Sequence, residues 1–303
     1  MRRKIIYIVN PISGKGSKNS VQNTIAAETL KAGIPFQFFP SVANGDYSFL
    51  RESITSEKIT DIVIVGGDGT VSQVVDSLKD MPLRFGIIPC GSGNGLAFGA
   101  GIPKTPKKAL EIIFNNRTHP VDGFRINNRF ACMLCGIGFD AQVAHDFAKA
   151  SQRGLTTYIK KVFSNFFSAK PYSFKITLNN RIFKIDAYFI SIANSNQFGN
   201  NFTIAPKASL NDGKIDVVIV TDQSKLTLLY NTMKQVGGLN GLQKNENINE
   251  TKSIIYFQTS EIRISNYKEA PLHIDGEPVE TEKKLHFITE PSCFKLLTGK
   301  KSL

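Results

Sequence analysis

The sequence predicts an α/β domain with a parallel sheet, followed by an antiparallel β-sandwich domain (class α/β + β). Up to about residue 121, apolar runs alternate with helical stretches, and three of these runs lead through a glycine-rich turn into a helix. Beyond Pro120, short β-rich runs are separated by turn signals. We therefore predict domains at residues 1–121 and 122–303. Whether the final strand returns to the first domain is left open.

The first and third of these strand-to-helix connections share one pattern. The apolar run Lys4–Val9 predicts a buried strand that ends in Asn10-Pro-Ile-Ser-Gly-Lys-Gly16. The run Phe85–Pro89 leads in the same way into Gly91-Ser-Gly-Asn-Gly-Leu-Ala97. The carboxyl ends of parallel strands gather at one edge of a sheet, which is where ligands bind in open α/β sheets. Each loop taken alone is equally well explained as a tight turn.

The second strand-to-helix connection carries the most chemical information. Strand Asp61–Val65 enters Gly66-Gly-Asp-Gly-Thr70, and an apolar stripe then begins at Val71 with helical spacing. Glycines let backbone N–H groups approach a phosphate, and a helix N-terminus favours the same anion. Asp68 would repel that phosphate unless it binds Mg²⁺ or removes a proton. The turn therefore predicts phosphoryl transfer rather than plain nucleotide storage.

The second half of the chain reads as a sandwich with helical excursions near residues 141–168 and 224–236. Turn signals such as Asp275-Gly276 separate its short apolar runs. The predicted strands are Arg129–Leu134, Tyr172–Leu178, Ile182–Ile192, Ile215–Val220, Ser253–Phe257, Glu261–Ile264 and Lys284–Ile288.

Composition limits the class of protein. The 303 residues are 41% hydrophobic, which is enough for two cores, and no apolar run approaches the roughly 20 residues of a membrane span. The four cysteines do not form a disulfide framework. Cys132 and Cys135 favour buried reduced thiols over a redox or zinc pair, because no second pair stands at ligand spacing. These features predict a cytoplasmic protein.

The net charge of +12 is concentrated in residues 147–185, which hold eight Lys and Arg residues and no Asp or Glu. Tyr158, Val162 and Phe166 share one helical face among these cations, an arrangement suited to an anionic membrane surface. An ordinary core helix with a solvated basic face explains it equally well. Nucleic acid is disfavoured as a partner, because no nucleic-acid-binding motif accompanies the cations.

The glycine-rich loops and three later motifs resemble the diacylglycerol kinase catalytic family, which includes sphingosine kinases and bacterial lipid kinases. The later motifs are Gly136-Ile-Gly-Phe-Asp-Ala141, Leu210-Asn-Asp-Gly-Lys-Ile-Asp216 and His273-Ile-Asp-Gly-Glu277. The resemblance spans nearly the whole chain. It implies a nucleotide domain and a β-sandwich with the active site in the cleft between them, and a peripheral membrane enzyme that uses ATP and Mg²⁺.

The resemblance also assigns residues to ATP. These are Asn10, Ser13, Gly14, Lys15, Gly66, Gly67, Gly69, Thr70, Gly91, Ser92, Gly93, Asn94, Arg153 and Glu277. Lys15 is equally well an exposed lysine in the first turn of a helix. Two carboxylates compete as the base that accepts the hydroxyl proton. We favour Asp275 as the base and Asp68 as a Mg²⁺ or water-network ligand, and Asp68 as the base stays open.

A structural Mg²⁺ site of bacterial members would fall on Asp212, the backbone carbonyl of Lys214 and Ser209, where a hydroxyl replaces the expected carboxylate or amide. Asp140 matches a position that contacts the substrate head group in sphingosine kinases. Its alternative role is to cap the helix that follows.

The acceptor implied by the resemblance is diacylglycerol or a related glycerolipid, with a sphingoid base as the alternative. An NAD kinase-like metabolite kinase and a non-catalytic lipid- or nucleotide-binding regulator are the rivals from other classes. A homodimer is left open.

Overall fold

A computed structural model describes residues 3–14, 18–148, 169–197, 203–222, 231, 234–235 and 238–299. The strands are β1 (Ile5–Val9), β2 (Phe36–Pro40), β3 (Asp61–Gly66), β4 (Arg84–Pro89), β5 (Thr118–Ile126), β6 (Arg129–Ala131), β7 (Leu134–Gly138), β8 (Tyr172–Leu178), β9 (Arg181–Ala193), β10 (Ile215–Thr221), β11 (Ile254–Thr259), β12 (Glu261–Ser265), β13 (Leu272–Ile274), β14 (Glu277–Val279) and β15 (Lys284–Leu297). The helices are α1 (Lys18–Lys31), α2 (Arg51–Ser56), α3 (Asp68–Leu78), α4 (Gly95–Gly99), α5 (Pro106–Phe114) and α6 (Phe139–Ala148), with 3₁₀ turns at Ser48–Leu50 and Asn245–Asn247.

The chain forms two compact units, residues 1–121 with 292–303, and residues 122–291. It passes from the first unit to the second within β5 and returns within β15. The returning segment adds a strand to the first unit, because Leu296 pairs with Phe85 of β4 in parallel. The Phe294 ring meets the Phe85 ring edge-on, with 5.8 Å between their centroids.

The first unit is a parallel sheet in the order β2-β1-β3-β4, with the end of β15 beside β4. Strands β1 and β3 are buried along their whole length, as expected for the continuous apolar runs of parallel sheets. The apolar stripe of α3 is buried as its spacing predicts. Its members are Val71, Val74, Val75 and Leu78.

The second unit is antiparallel throughout its paired strands, in the order β14-β13-β7-β9-β8-β12-β15. Strand β10 pairs with β9 and β11, and β5 pairs with β6 and β15. Alternate residues of these strands fill one apolar core that includes Phe174, Ile192 and Phe257. The parallel sheet and the antiparallel sandwich confirm the predicted fold class.

Two strand predictions need correction. The predicted strand Arg129–Leu134 is wrong, because it breaks at Cys132 and Met133 into β6 and β7. The backbone N–H groups at this break point to the side chain of Asp275 instead of a neighbouring strand. The last predicted strand continues nine residues further, to Leu297. Strands β2, β5, β13 and β14 were not predicted.

Other predictions fall partly outside the described residues. Helix α6 covers the start of the excursion predicted at 141–168, and the rest of that excursion and most of residues 224–236 are not described. Cys132 and Cys135 are buried thiols outside any disulfide, as predicted. Among the described residues, every helix is too short or too polar to cross a lipid bilayer.

Candidate active site

The candidate site of the first unit lies at the carboxyl ends of β1, β3 and β4, which are neighbours in the sheet. Asn10, directly after β1, donates from Nδ2 to Oγ1 of Thr70 in the first turn of α3, at 2.9 Å. The backbone N–H of Cys90, directly after β4, donates to the carbonyl of Gly66 at 2.8 Å. The structure therefore brings together the three loops that the sequence analysis singled out.

Two of these loops meet through bare backbone. A Cβ atom built on Gly91 would lie 2.6 Å from Cα of Gly67, and one built on Gly67 would lie 3.1 Å from Cα of Gly91. No side chain fits between the two loops at that approach. The glycines are thus required by contact between loops, and they leave backbone rather than side chains facing this edge of the sheet.

The Asp68 carboxylate has a structural role that the sequence analysis did not consider. Its Oδ2 accepts the backbone N–H of Gly95 at 3.0 Å, and its Oδ1 accepts that of Leu96 at 3.2 Å. These N–H groups open helix α4, and a carboxylate there is favoured by hydrogen bonding and by the helix dipole. A negative charge inside a glycine-rich turn is therefore explained even without a metal ion.

Asn94 shapes the third loop. It adopts the left-handed conformation, with φ of 57°, and is almost fully buried. Its Oδ1 accepts the N–H of Gly91 and its Nδ2 donates to the Gly91 carbonyl, both at 2.8 Å. Ser92 lies exposed at the tip of the loop that this double hydrogen bond closes.

The remaining described residues assigned to ATP are divided between the first and second units. The Ser13 hydroxyl donates to the carbonyl of Asn10, and Gly14 follows with a positive φ of 76°. Gly69 lies in the first turn of α3, and Gly93 is half-buried in the loop after β4. Glu277 is the exposed first residue of β14, in the second unit. Lys15 and Arg153 lie outside the described residues.

A separate candidate site, in the second unit, is the turn between β13 and β14. Asp275 and Gly276 have φ of 49° and 83°, and Ile274 pairs with Glu277 around them. Positive φ at both central residues is the type I′ turn that Asp-Gly favours. The Asp275 carboxylate is buried, with Oδ1 accepting the N–H groups of Met133 and Leu134 at 3.1 and 2.8 Å. Its Oδ2 accepts that of Cys132 at 3.3 Å.

Two buried polar side chains adjoin this turn. Nε2 of His273 lies 3.1 Å from Oδ2 of Asp140, and the His273 Nδ1 accepts the backbone N–H of Gly276 at 3.3 Å. Asp140 is 6% exposed and His273 is 2% exposed. Burial, with smaller contributions from the Asp275 and Asp140 carboxylates, raises the pKa of the Cys135 thiol well above its ordinary value. Cys135 is therefore a poor candidate for a thiolate nucleophile or metal ligand.

Side chains assigned to a structural Mg²⁺ make hydrogen bonds within the protein. Asp212 Oδ1 accepts the N–H of Lys214, its Oδ2 accepts the amide of Gln258, and the Ser209 hydroxyl donates to Asn211. In the part of the chain that the structure describes, no group of three or more His, Cys, Asp or Glu side chains could hold a metal ion. Burial, aided by the charge of Asp122, raises the pKa of Asp212.

Two buried polar residues of the second unit, His273 and Asn194, were not proposed as site residues from the sequence. His273 entered only as part of a motif, and Asn194 was not considered. Asn194 Nδ2 donates to the carbonyls of Asp122 and Cys132, at 2.7 and 3.1 Å. Residues 132–134 are thus held from one side by Asn194 and from the other by Asp275. A polar residue at the end of the apolar strand β9 was the available signal for Asn194.

The two units define a class of protein in which an α/β domain with glycine-rich strand ends is followed by an antiparallel β-sandwich domain. The family model described as diacylglycerol kinase catalytic domain matches residues 4–126, and the one described as YegS C-terminal NAD kinase beta sandwich-like domain matches residues 134–298. The chain belongs to this lipid kinase family of diacylglycerol and YegS-like kinases.

Individual relatives agree with this assignment. The chain is 27% identical over 281 residues to a diacylglycerol kinase of Staphylococcus haemolyticus, which covers 91% of this chain and 83% of that protein. It is 26% identical to a diacylglycerol kinase of Bacillus subtilis, covering 91% and 89% of the two chains. A crystal structure of a diacylglycerol kinase from Bacillus anthracis matches 99% of this chain and 98% of its own, with a TM-score of 0.74 at 19% identity. That structural likeness supports the fold.

Proposed function

We propose that this protein is an ATP- and Mg²⁺-dependent kinase that phosphorylates a hydroxyl of diacylglycerol or a related glycerolipid. One observation carries the proposal: the glycine-rich strand ends lie in the unit that matches the diacylglycerol kinase catalytic domain. The relatives named diacylglycerol kinase align with most of the chain, which extends the argument to the second unit.

The loops after β1, β3 and β4 are proposed to hold the phosphates of ATP. The approach of Gly67 to Gly91 leaves a backbone-lined edge, and backbone N–H groups are suited to phosphate oxygens. Gly66, Gly67, Gly69 and Thr70 would contribute from the loop and helix after β3. Bound ATP supplies the phosphoryl group that is transferred, and catalysis of such a transfer is mainly positioning and charge stabilisation.

Mg²⁺ is proposed to enter with the nucleotide rather than to occupy a cage built by the protein. A Mg²⁺ ion bound through substrate phosphates needs only one or two carboxylates from the protein. Asp68 is our candidate for such a carboxylate, in addition to its hydrogen bonds to the start of α4. A second, structural Mg²⁺ site at Asp212, the Lys214 carbonyl and Ser209 stays a prediction.

Asp275 is proposed as the base that accepts the proton of the lipid hydroxyl. Its carboxylate sits on a rigid two-residue turn and is oriented by three backbone N–H groups. Such orientation is what a general base requires. Asp68 remains the alternative, and the two assignments are separated by substitutions that are set out in the Discussion.

The membrane is proposed as the place where the protein meets its acceptor, through the basic region of residues 147–185. Its residues 149–168 lie outside the described part of the chain. On the described strands, Lys175 and Lys184 stand directly opposite each other across β8 and β9. Like charges in that position repel and would be relieved by an anionic surface. The exposed Ile182 lies on β9, the strand that carries Lys184.

Transfer of the γ-phosphate from labelled ATP to lipids in mixed micelles tests the proposal. The acceptors are diacylglycerol, monoacylglycerol, phosphatidylglycerol, ceramide and sphinganine, with NAD as a soluble acceptor, each with and without Mg²⁺. We expect Mg²⁺-dependent label on diacylglycerol. Label on sphinganine would replace the glycerolipid by a sphingoid base, and label on NAD alone would indicate a metabolite kinase. No transfer despite bound ATP would favour a binding protein.

A further inference from the structure

We propose that Asp140 and His273 are positioning residues that hold the Asp275–Gly276 turn in its catalytic geometry. This inference rests on the proposed function, in which Asp275 is the base. It gives Asp140 a different role from contact with a substrate head group. The argument uses residues of the second unit alone.

The hydrogen-bond partners of His273 determine where its proton lies. Nδ1 accepts the backbone N–H of Gly276 and must therefore present a lone pair. The proton of the neutral ring then sits on Nε2, which faces Oδ2 of Asp140 at 3.1 Å. The Asp140 carboxylate thus fixes the ring orientation that makes Nδ1 an acceptor.

The bond to Gly276 acts on the turn itself. Within a two-residue type I′ hairpin turn, the N–H of the second central residue is not used by the ladder between the strands. The imidazole gives this N–H a buried partner. Its loss would leave Gly276 without this partner, while Asp275 stays held by its carboxylate and by its own N–H, which donates to the Leu134 carbonyl at 2.8 Å. The left-handed backbone at Gly276 and the side-chain direction of Asp275 would then be less constrained.

Strand β7, which pairs with the His273 strand β13, leaves space for the contact between Asp140 and His273. Gly136 of β7 stands directly opposite His273 of β13. A Cβ atom at Gly136 would overlap both Oδ2 of Asp140 and Nε2 of His273. Helix α6 starts at Phe139, so Asp140 reaches the imidazole from its first turn, across the space that Gly136 leaves open.

Two amide substitutions separate the two hydrogen bonds of the ring. Asparagine places its amide where Nδ1 lies, so His273→Asn can keep an acceptor for Gly276 and loses Asp140. Glutamine places its amide where Nε2 lies, so His273→Gln keeps a donor for Asp140 and loses Gly276. Asp140→Asn leaves an oxygen that can still accept from His273. His286→Gln, whose ring meets Glu261 at the surface of the same unit, is the matched control.

Turnover, the KM for lipid and for ATP, and the hydrogen-exchange rate of the Gly276 amide are measured for each variant. We expect His273→Gln to lower kcat by about tenfold to a hundredfold, with both KM values within about threefold and faster Gly276 exchange. His273→Asn and Asp140→Asn should retain more turnover than His273→Gln, and His286→Gln should match the parent protein.

Two results would overturn the inference. One is an unchanged Gly276 exchange rate in His273→Gln. The other is a raised lipid KM with unchanged kcat in Asp140→Asn, which indicates a head-group contact. Faster exchange with unchanged turnover would reject the catalytic part of the role. Failure of the proposed function is distinguishable, because the parent protein would then phosphorylate no lipid while the exchange measurement still tests the turn.

Discussion

Oδ2 of Asp68 accepts the backbone N–H of Gly95 at 3.0 Å, which ties the first residue of helix α3 to the first residue of helix α4. The same carboxylate is the proposed Mg²⁺ ligand. A loss of activity on substitution could therefore reflect either role, and the variants have to separate them.

Asp68→Ala should lower the free energy of unfolding by about 1–2 kcal/mol, because it removes the acceptor of two N–H groups at a helix start. Asp68→Asn keeps one acceptor and should lose less. If Asp68 also binds Mg²⁺, both variants lose turnover by about a hundredfold or more. Denaturant unfolding and kinase assays measure the two effects, with Asp76→Asn on the same helix as control. Full turnover in Asp68→Asn would reject the Mg²⁺ role.

Gly91→Ala should disrupt the candidate site of the first unit. The added methyl group would lie 2.6 Å from the backbone of Gly67, so the two loops must separate at a cost of about 1–3 kcal/mol. ATP affinity should fall with stability, as measured by calorimetric titration and thermal unfolding. Gly241→Ala is the control, since a Cβ there meets nothing within 4 Å. Equal ATP affinity in both variants would argue against this edge as the phosphate site.

Asp275→Asn tests the base. Its Oδ1 can still accept from Met133 and Leu134, and asparagine tolerates the left-handed conformation of this turn. We expect turnover to fall by about 10²–10⁴-fold while ATP binding persists. Asp275→Ala should in addition lower the free energy of unfolding by about 1–3 kcal/mol, because three N–H groups lose their acceptor. A stable, fully active Asp275→Asn enzyme would transfer the role of base to Asp68.

Titration of the Asp216 carboxyl group should make the free energy of unfolding depend on pH. Burial, aided by the charge of Asp212, raises the pKa of Asp216 to about 6, although Tyr256 and Gln258 donate hydrogen bonds to it. Between pH values of about 4 and 6 the folded state holds a proton that the unfolded chain has released. This group's contribution to the free energy of unfolding therefore falls as pH rises, by about 2–3 kcal/mol in total.

The measurement for Asp216 is urea unfolding from pH 4 to 8, in the parent protein and in Asp216→Asn. The asparagine variant does not titrate, so it should gain stability relative to the parent as pH rises through 6. A constant difference between the two proteins across this range would contradict the raised pKa.

The sequence predicted those features that depend on local pattern. Continuous apolar runs identified β1, β3 and β4, and the stripe beginning at Val71 identified the buried face of α3. It could not predict the break at Cys132 and Met133. That break depends on the Asp275 carboxylate, which is more than 140 residues away in the chain. Strands β13 and β14 have three residues each, too few to establish a period.

For the candidate site residues, the sequence predicted which residues matter but not which groups they hydrogen-bond. Asp68 and Asp275 were singled out by motif, but their observed hydrogen bonds go to backbone groups of other segments. Sequence patterns carry no record of such long-range pairs. The same reason explains why His273 was overlooked: a single histidine in an apolar strand gains meaning only when Asp140 and Gly276 are placed beside it.

The passage of β15 from one unit to the other has a consequence for synthesis on the ribosome. The first 121 residues emerge first, yet their sheet is finished only when residues 292–297 arrive and Phe294 covers Phe85. The amino-terminal unit is therefore begun first and completed last. Until then the outer edge of β4 is open to other strands, so a nascent chain stalled shortly before residue 292 would be more prone to aggregate than its length suggests.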